Sequence, residues 1–283
     1  MKREEGFFKG ARDASIYYQC WLPDGEPRAA LLIVHGLAEH SGRYMNVVDH
    51  LVPLGYAAYS LDHFGHGKSE GTRVYVERFT DYTDTLKRYF DMVCQWQPGK
   101  PVFLLAHSLG ALIGAAYLLD HQAGLAGAVL SGPAVKVPQN VTGTTIFMGK
   151  LLSTLLPRTG LLGLEAAGIC RDPAVVTAYT SDPLVCKGKT TARLAAEMLA
   201  AMQRVGAEAA KITLPLLLLQ GSADRIVDPS GAQMLYDAVG SRDKTIKVYD
   251  GLYHEVFNEP EREQVLHDVE TWLQTHLAPS SIG

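Results

Sequence analysis

The chain has 283 residues, 47% of them hydrophobic and 20% charged, with a formal net charge of −4, a balance that excludes disordered and fibrous classes. It has no polybasic run, so a nucleic-acid reading has little support, and its apolar runs fall far short of the ~18 residues that a membrane helix needs. The four cysteines (Cys20, Cys94, Cys170, Cys186) show no CxxC pairing and read as buried thiols of a reducing compartment, and the charged start Met1–Gly6 lacks a secretory signal pattern, so a cytoplasmic location is expected.

Short apolar runs alternate with helical patterns. Ala29–His35, Tyr56–Asp62, Pro101–Ala106, Ala126–Leu130, Leu214–Gln220 and Lys244–Tyr249 have the length and continuity of strands buried on both faces of a parallel sheet. Phe79–Trp96 sets Phe79, Tyr82, Leu86, Tyr89, Phe90 and Val93 three and four apart, which predicts an amphipathic helix, stopped at Pro98-Gly99. The alternation predicts an α/β fold, a mostly parallel sheet with helices on both faces. From about Pro133 to Ile212 the pattern changes: no strand run of this kind occurs, Thr144–Leu156 is apolar and helical, and Thr190–Gly206 is a second helix. The chain thus divides into a core at 1–134, a helical insertion at 135–212 and a second core segment at 213–283.

The most informative stretch is Val102–Ala111. A strand ends at Ala106, Ser108 follows, and an apolar helix begins. Such a turn lifts the hydroxyl above the sheet edge, and the helix N-terminus favours the negative charge that forms during attack. Strand and helix pass closely on either side of the serine, so small residues are needed there. Gly110 is one; Ala106 is the other, standing where the general G-x-S-x-G pattern has its first glycine.

A serine is a poor nucleophile without a base, and the base needs a carboxylate to orient it. Asp224 lies four residues past the Leu214–Gln220 run and His254 just past the last run. Taken singly, Ser108 also fits a helix cap and His254 a structural loop residue. At three strand ends, in the order Ser108, Asp224, His254, they point to nucleophilic catalysis. The backbone amides of Leu109 and of Leu37, in the turn after the first buried run, are placed as oxyanion donors, with Gly36 allowing the turn.

Glu39 and Arg43, four apart at a helix start, have two readings: an exposed ion pair worth about 0.3–0.5 kcal/mol, or a polar part of the site. Asp62, His63 and His66 suggest a metal cluster or a glycine-bounded structural loop, the second being favoured. His107 is expected to point into packing, away from the base. Thr144–Leu156 reads as cap packing or as the wall of an acyl tunnel, where each buried methylene is worth about 0.8 kcal/mol, with a lip that touches lipid aggregates.

Four segments, His35-Gly36-Leu37-Ala38-Glu39-His40-Ser41-Gly42-Arg43-Tyr44, Asp62-His63-Phe64-Gly65-His66-Gly67-Lys68-Ser69-Glu70-Gly71, Ala106-His107-Ser108-Leu109-Gly110 and Gln220-Gly221-Ser222-Ala223-Asp224-Arg225, resemble the monoacylglycerol lipase and lysophospholipase branch of the α/β-hydrolase superfamily. The resemblance runs from about Gly10 to Leu277. It implies an α/β-hydrolase fold: a mostly parallel eight-stranded sheet flanked by helices, with a helical cap inserted after the sixth strand. It also implies an ester hydrolase needing no cofactor and no metal, with Glu39 and Arg43 at the polar end of the pocket where a glycerol head binds. The animal enzymes of that branch carry a further histidine three positions after the catalytic one, where this sequence has Phe257. They also carry a reactive cysteine three positions after the aspartate, where it has Val227.

The expected function is hydrolysis of monoacylglycerols, or similar single-chain lipid esters, to fatty acid and alcohol through an acyl-enzyme. The rival readings are a lysophospholipase, a carboxylesterase for short or aromatic esters, and a non-catalytic binding module. The expected partner is a small lipid ester, with no nucleic acid and no transmembrane segment; the oligomeric state is left open.

Overall fold

The computed structural model describes residues 1–137, 149 and 151–277. The chain opens with an antiparallel hairpin of β1 (Lys2–Lys9) and β2 (Ser15–Leu22), followed by β3 (Ala29–Val34), β4 (Tyr56–Leu61), β5 (Val102–His107) and β6 (Leu125–Ser131). A small antiparallel pair, β7 (Gly160–Leu162) and β8 (Thr190–Thr191), precedes β9 (Leu216–Gly221) and β10 (Lys244–Tyr249). The main sheet has eight strands in the order β1-β2-β4-β3-β5-β6-β9-β10, and β4 to β10 in that order run parallel. This is the α/β-hydrolase architecture. The six apolar runs became its parallel strands; the hairpin is an addition that those runs did not announce.

Every residue of β3, β4, β5 and β9 is buried. Because side chains alternate across a strand, each strand feeds two cores. Leu32, Leu104, Leu130 and Leu218 face one side with α2 (Thr80–Trp96) and α3 (Leu109–His121). Leu31, Ile33, Phe103, Leu105 and Leu217 face the other, toward Val47, Val48 and Leu51 of α1 (Met45–Leu51) and Val265, Val269 and Leu273 of a helix at Arg262–Leu277. The helix after Ser108 is buried from Leu109 to Leu119, so it shows no polar face: it lies between the sheet, α2 and the helix Ala192–Glu208.

Gly110 lets that helix start against β3. A Cβ there would lie 2.2 Å from the Val34 carbonyl oxygen and 2.4 Å from that of His35. Backbone cannot yield as a side-chain tip can, so Gly110→Ala is expected to cost about 3 kcal/mol in a urea titration. Gly114→Ala, one turn on, would meet only side-chain carbons at 3.2 Å and 3.3 Å and is expected to cost much less.

Between β6 and β9 the chain is mixed. Ala192–Glu208 sends Leu194, Ala201 and Val205 into the main core, whereas Ile169, Cys170, Tyr179 and Val185 form a separate small cluster. Two details correct the reading of the sequence: this stretch contains the β7–β8 pair, and Cys94 and Cys186 are half-buried, unlike the buried Cys20 and Cys170. Of the apolar stretch Thr144–Leu156, residues 144–148 and 150 lie outside the described residues. Leu151, Leu155 and Leu156 are exposed, at 44%, 68% and 58%. Among the described residues no helix is long and apolar enough to cross a membrane.

Candidate active site

β5 ends at His107, and Ser108 takes φ 56° and ψ −120° before the helix begins at Leu109. A non-glycine residue there is strained, and the strain turns its hydroxyl toward the loop ends. Its backbone is pinned to β6, the Ser108 amide donating to the Ser131 carbonyl at 2.9 Å. Gly36 keeps the turn after β3 close by: a Cβ on it would sit 3.2 Å from the Ser108 Cβ.

The Ser108 hydroxyl lies 2.7 Å from His254 Nε2, and His254 Nδ1 lies 2.7 Å from Asp224 Oδ2. An ionised carboxylate only accepts, so Nδ1 carries the hydrogen and Nε2 is free to accept from the serine. Asp224 is held by four donors. The amides of Ile226 and Val227 reach Oδ1 at 2.8 Å and 3.0 Å, and Gln220 Nε2 shares Oδ2 with the imidazole at 3.0 Å. Burial alone would raise the carboxyl; the bond and charge of His254 and the two amides outweigh it and hold Asp224 below the usual carboxylate range.

Leu37 follows Gly36 in the turn after β3 and Leu109 follows Ser108, and among the described residues neither of their amides donates a hydrogen bond. Ala38 takes φ 64°. The strained turn is tied on both sides: the Gly36 amide donates to Glu39 Oε1 at 2.6 Å, and the Cys186 amide, from the inserted stretch, donates to the Ala38 carbonyl at 2.7 Å.

Glu39 and Arg43 are not an exposed pair; that reading is overturned. Their side chains are 5% and 10% exposed and 2.5 Å apart, and Arg43 also forks onto Glu255 at 2.6 Å and 2.8 Å. The Arg43 guanidinium lies 4.6 Å from the centre of the Tyr179 ring. Burial alone would raise the Glu39 carboxyl, but the Arg43 charge holds it well below the usual range. Glu39, Arg43 and Glu255 line a cleft with Asn46, His107, Phe257 and Asn258.

A family model described as Hydrolase_4, serine aminopeptidase, S33, matches residues 25–261. The chain belongs to this family. Within it the chain sits in the monoacylglycerol lipase branch of the α/β-hydrolases. It is 38% identical over 275 residues to the monoacylglycerol lipase of Mycolicibacterium smegmatis, covering 97% of this chain and 98% of that one. It is 36% identical over 266 residues to the monoglyceride lipase of Homo sapiens, covering 93% and 88%. The crystal structure of the monoacylglycerol lipase of Paleococcus ferrophilus superposes with a TM-score of 0.81 at 30% identity, covering 98% of this chain and 100% of that one.

Some residues of this Hydrolase_4 site lie outside the motifs read from the sequence. Glu255 adjoins His254, and its partner Arg43 is 212 positions away, beyond any local pattern. Glu259 is fully buried and accepts from the Tyr253 amide at 2.9 Å and the Arg171 amide at 3.1 Å, tying the His254 loop to the inserted stretch. His107 was expected to face away from the base; instead its ring packs on that of His254, centroids 4.6 Å apart, with Nδ1 3.3 Å from the Ser131 hydroxyl.

Asp62, His63 and His66 build a loop. Asp62 Oδ1 accepts from the Ser41 amide and hydroxyl at 2.8 Å and 2.6 Å, and Oδ2 from the Lys68 amide at 2.7 Å. His35 Nε2 accepts from the His63 amide at 2.9 Å, so its hydrogen sits on Nδ1, which donates to the Gly36 carbonyl at 2.8 Å. The His35 imidazole thus braces the turn after β3.

Burial lowers His35, takes His63 well below its ordinary value and brings His66 to about 3; burial and then the neighbouring His254 bring His107 to about 4. In the unfolded chain each titrates near ~6.5. Unfolding therefore takes up protons between about pH 6.5 and 4, and the stability held by the neutral forms is complete above that window and lost as pH falls through it. The slope is about 1.4 kcal/mol per pH unit for each imidazole. Urea midpoints are expected to fall steeply from pH 6.5 to 4.5; midpoints flat across that range would contradict the neutral, buried assignment.

Proposed function

We propose that the chain hydrolyses monoacylglycerols, or closely similar single-chain lipid esters, to a fatty acid and an alcohol through an acyl-enzyme on Ser108. It is a carboxylic ester hydrolase of the serine type. The observation that carries this reading is the unbroken relay from the Ser108 hydroxyl through His254 to Asp224, each link 2.7 Å.

Ser108 Oγ attacks the ester carbonyl carbon as His254 Nε2 takes its proton. The carbonyl oxygen, now negative, is held by the Leu37 and Leu109 amides, already oriented and thus effective without reorganisation. The imidazolium gives its proton to the departing alkoxide, releasing the alcohol. A water then loses its proton to Nε2 and attacks the acyl carbon; collapse returns the proton to Ser108 and frees the acid. Asp224 fixes the tautomer and balances the imidazolium charge throughout.

The segment 135–212 acts as the cap, anchored to the core by Ala192–Glu208. Its exposed Leu151, Leu155 and Leu156 form a lip suited to lipid aggregates. Glu39 and Arg43 border the cleft beside His254 that takes the alcohol head, with Phe257 as its apolar wall. Four unpaired thiols support a cytoplasmic setting.

A substrate panel tests the reading. Long-chain monoacylglycerols are expected to give the highest kcat/KM, above lysophospholipids and above p-nitrophenyl esters of any chain length. Preference for lysophospholipids or for short and aromatic esters would reassign the head-group cleft. Aminoacyl p-nitroanilides are expected to be poor substrates, because Arg43 already engages both Glu39 and Glu255 and leaves neither carboxylate for an α-ammonium group.

A further inference from the structure

The structure joins the base loop to the oxyanion turn through one guanidinium. Glu255 follows His254 directly. Both its carboxylate oxygens accept from Arg43, Oε1 from Nη1 at 2.6 Å and Oε2 from Nη2 at 2.8 Å. Arg43 Nη1 also donates to Glu39 Oε2 at 2.5 Å. The other oxygen of Glu39 accepts from the Gly36 amide at 2.6 Å and the Tyr44 hydroxyl at 2.7 Å. Gly36 directly precedes Leu37. One continuous path of charged hydrogen bonds therefore runs from the residue beside the base to the residue beside the oxyanion donor.

Three features make this path a strut. A planar guanidinium forking onto a carboxylate fixes direction as well as distance. The three side chains are 5%, 7% and 10% exposed, so water offers little substitute. The turn it holds carries a left-handed non-glycine residue, Ala38 at φ 64°, which persists only where its surroundings impose it. Glu255 is fixed in its turn: Asn258 Nδ2 donates to Oε2 at 2.8 Å, and the Glu255 amide donates to the Ile169 carbonyl at 2.8 Å.

We propose that Glu255 is a positioning residue for ester hydrolysis, acting through Arg43 and Glu39 to set the oxyanion turn against the His254 loop. This rests on the roles assigned above to His254 and Leu37. It departs from a reading in which Arg43 and Glu39 serve only to bind an alcohol head, since every oxygen of the two carboxylates already has a donor.

The test compares two esters of the same acyl chain on wild type, Glu255→Gln and Arg43→Lys: a monoacylglycerol, and the p-nitrophenyl ester, which has no glycerol head. Glu255→Gln keeps shape and loses charge; Arg43→Lys keeps charge and loses the fork. Misplacement of a reacting group by about 1 Å costs roughly 10²-fold. kcat is therefore expected to fall 10- to 100-fold, by the same factor on both esters, with KM within threefold, per site titrated by a fluorophosphonate. The double variant is expected to be no worse than the weaker single one, because both cut the same strut.

An effect confined to KM for the monoacylglycerol would make Glu255 a wall of the head-group cleft and overturn the proposal. So would a lowered Tm with full kcat per titrated site, or effects that multiply in the double variant. Should Glu255→Gln fail to fold, Arg43→Lys alone decides by the same comparison. Wild-type p-nitrophenyl esterase activity that survives Ser108→Ala would instead remove the reading of the site on which the proposal stands.

Discussion

Ser108→Ala is expected to lower kcat on a monoacylglycerol or a p-nitrophenyl ester by at least about 10³-fold, with the far-ultraviolet spectrum unchanged. In the proposed reaction the hydroxyl oxygen is the atom that bonds to the acyl carbon, and the neighbouring polar side chains are engaged elsewhere: His107 packs on the His254 ring and Ser131 caps His107. The loss should not deepen when His254→Ala is added, because the base has nothing to deprotonate once the serine is gone. The same position stores backbone strain, at φ 56° and ψ −120°. Ser108→Gly is therefore expected to raise stability by about 1–2 kcal/mol while abolishing activity. A urea titration of the wild type, Ser108→Ala and Ser108→Gly measures this; equal midpoints would mean that the elbow is unstrained.

Asp224→Asn is expected to cost about 10⁴-fold in kcat with little effect on folding. The four donors around the carboxylate dictate the outcome. Oδ1 faces the amides of Ile226 and Val227, which are fixed in backbone and cannot become acceptors. The new side-chain amide must therefore turn its NH2 to the Oδ2 side, toward His254 Nδ1. Nδ1 then has to accept, the imidazole hydrogen moves to Nε2, and Nε2 can no longer take the serine proton. Gln220 loses its acceptor there as well. An Asp224→Asn enzyme with more than about a tenth of wild-type kcat would show that the carboxylate is dispensable for the tautomer.

Legibility in the sequence followed the physical source of each feature. β3, β4, β5 and β9 were readable because full burial forces unbroken apolar runs, and β6 because most of it is buried. β10, read as buried on both faces, is instead a half-buried edge strand with Val248 57% exposed, and it showed through its β-branched and aromatic residues. β1 and β2 were not: Lys2–Lys9 is an exposed edge rich in charge, and its pairing with Ser15–Leu22 is set by the neighbouring strand, not by its own composition. Ser108, Asp224 and His254 stood out because the chemistry demands those residue types at strand ends. Their neighbours His107 and Glu255 did not. The direction in which each side chain leaves the backbone is set by the elbow dihedrals and by the turn after β10, and an ion pair spanning 212 residues leaves no periodicity. Glu39 and Arg43 showed only their four-residue spacing, which fits an exposed helix pair equally well. Their burial comes from Glu255 and Tyr179 closing over them, which is a property of the assembled fold.

Intact mass spectrometry after reaction with a fluorophosphonate measures most directly whether the hydroxyl at the elbow is activated by the imidazole beside it. The account predicts one adduct per chain, located by peptide mapping to Ser108, forming at least about 10³-fold more slowly in His254→Ala. An adduct on another residue, or labelling of Ser108 at an undiminished rate without His254, would contradict it.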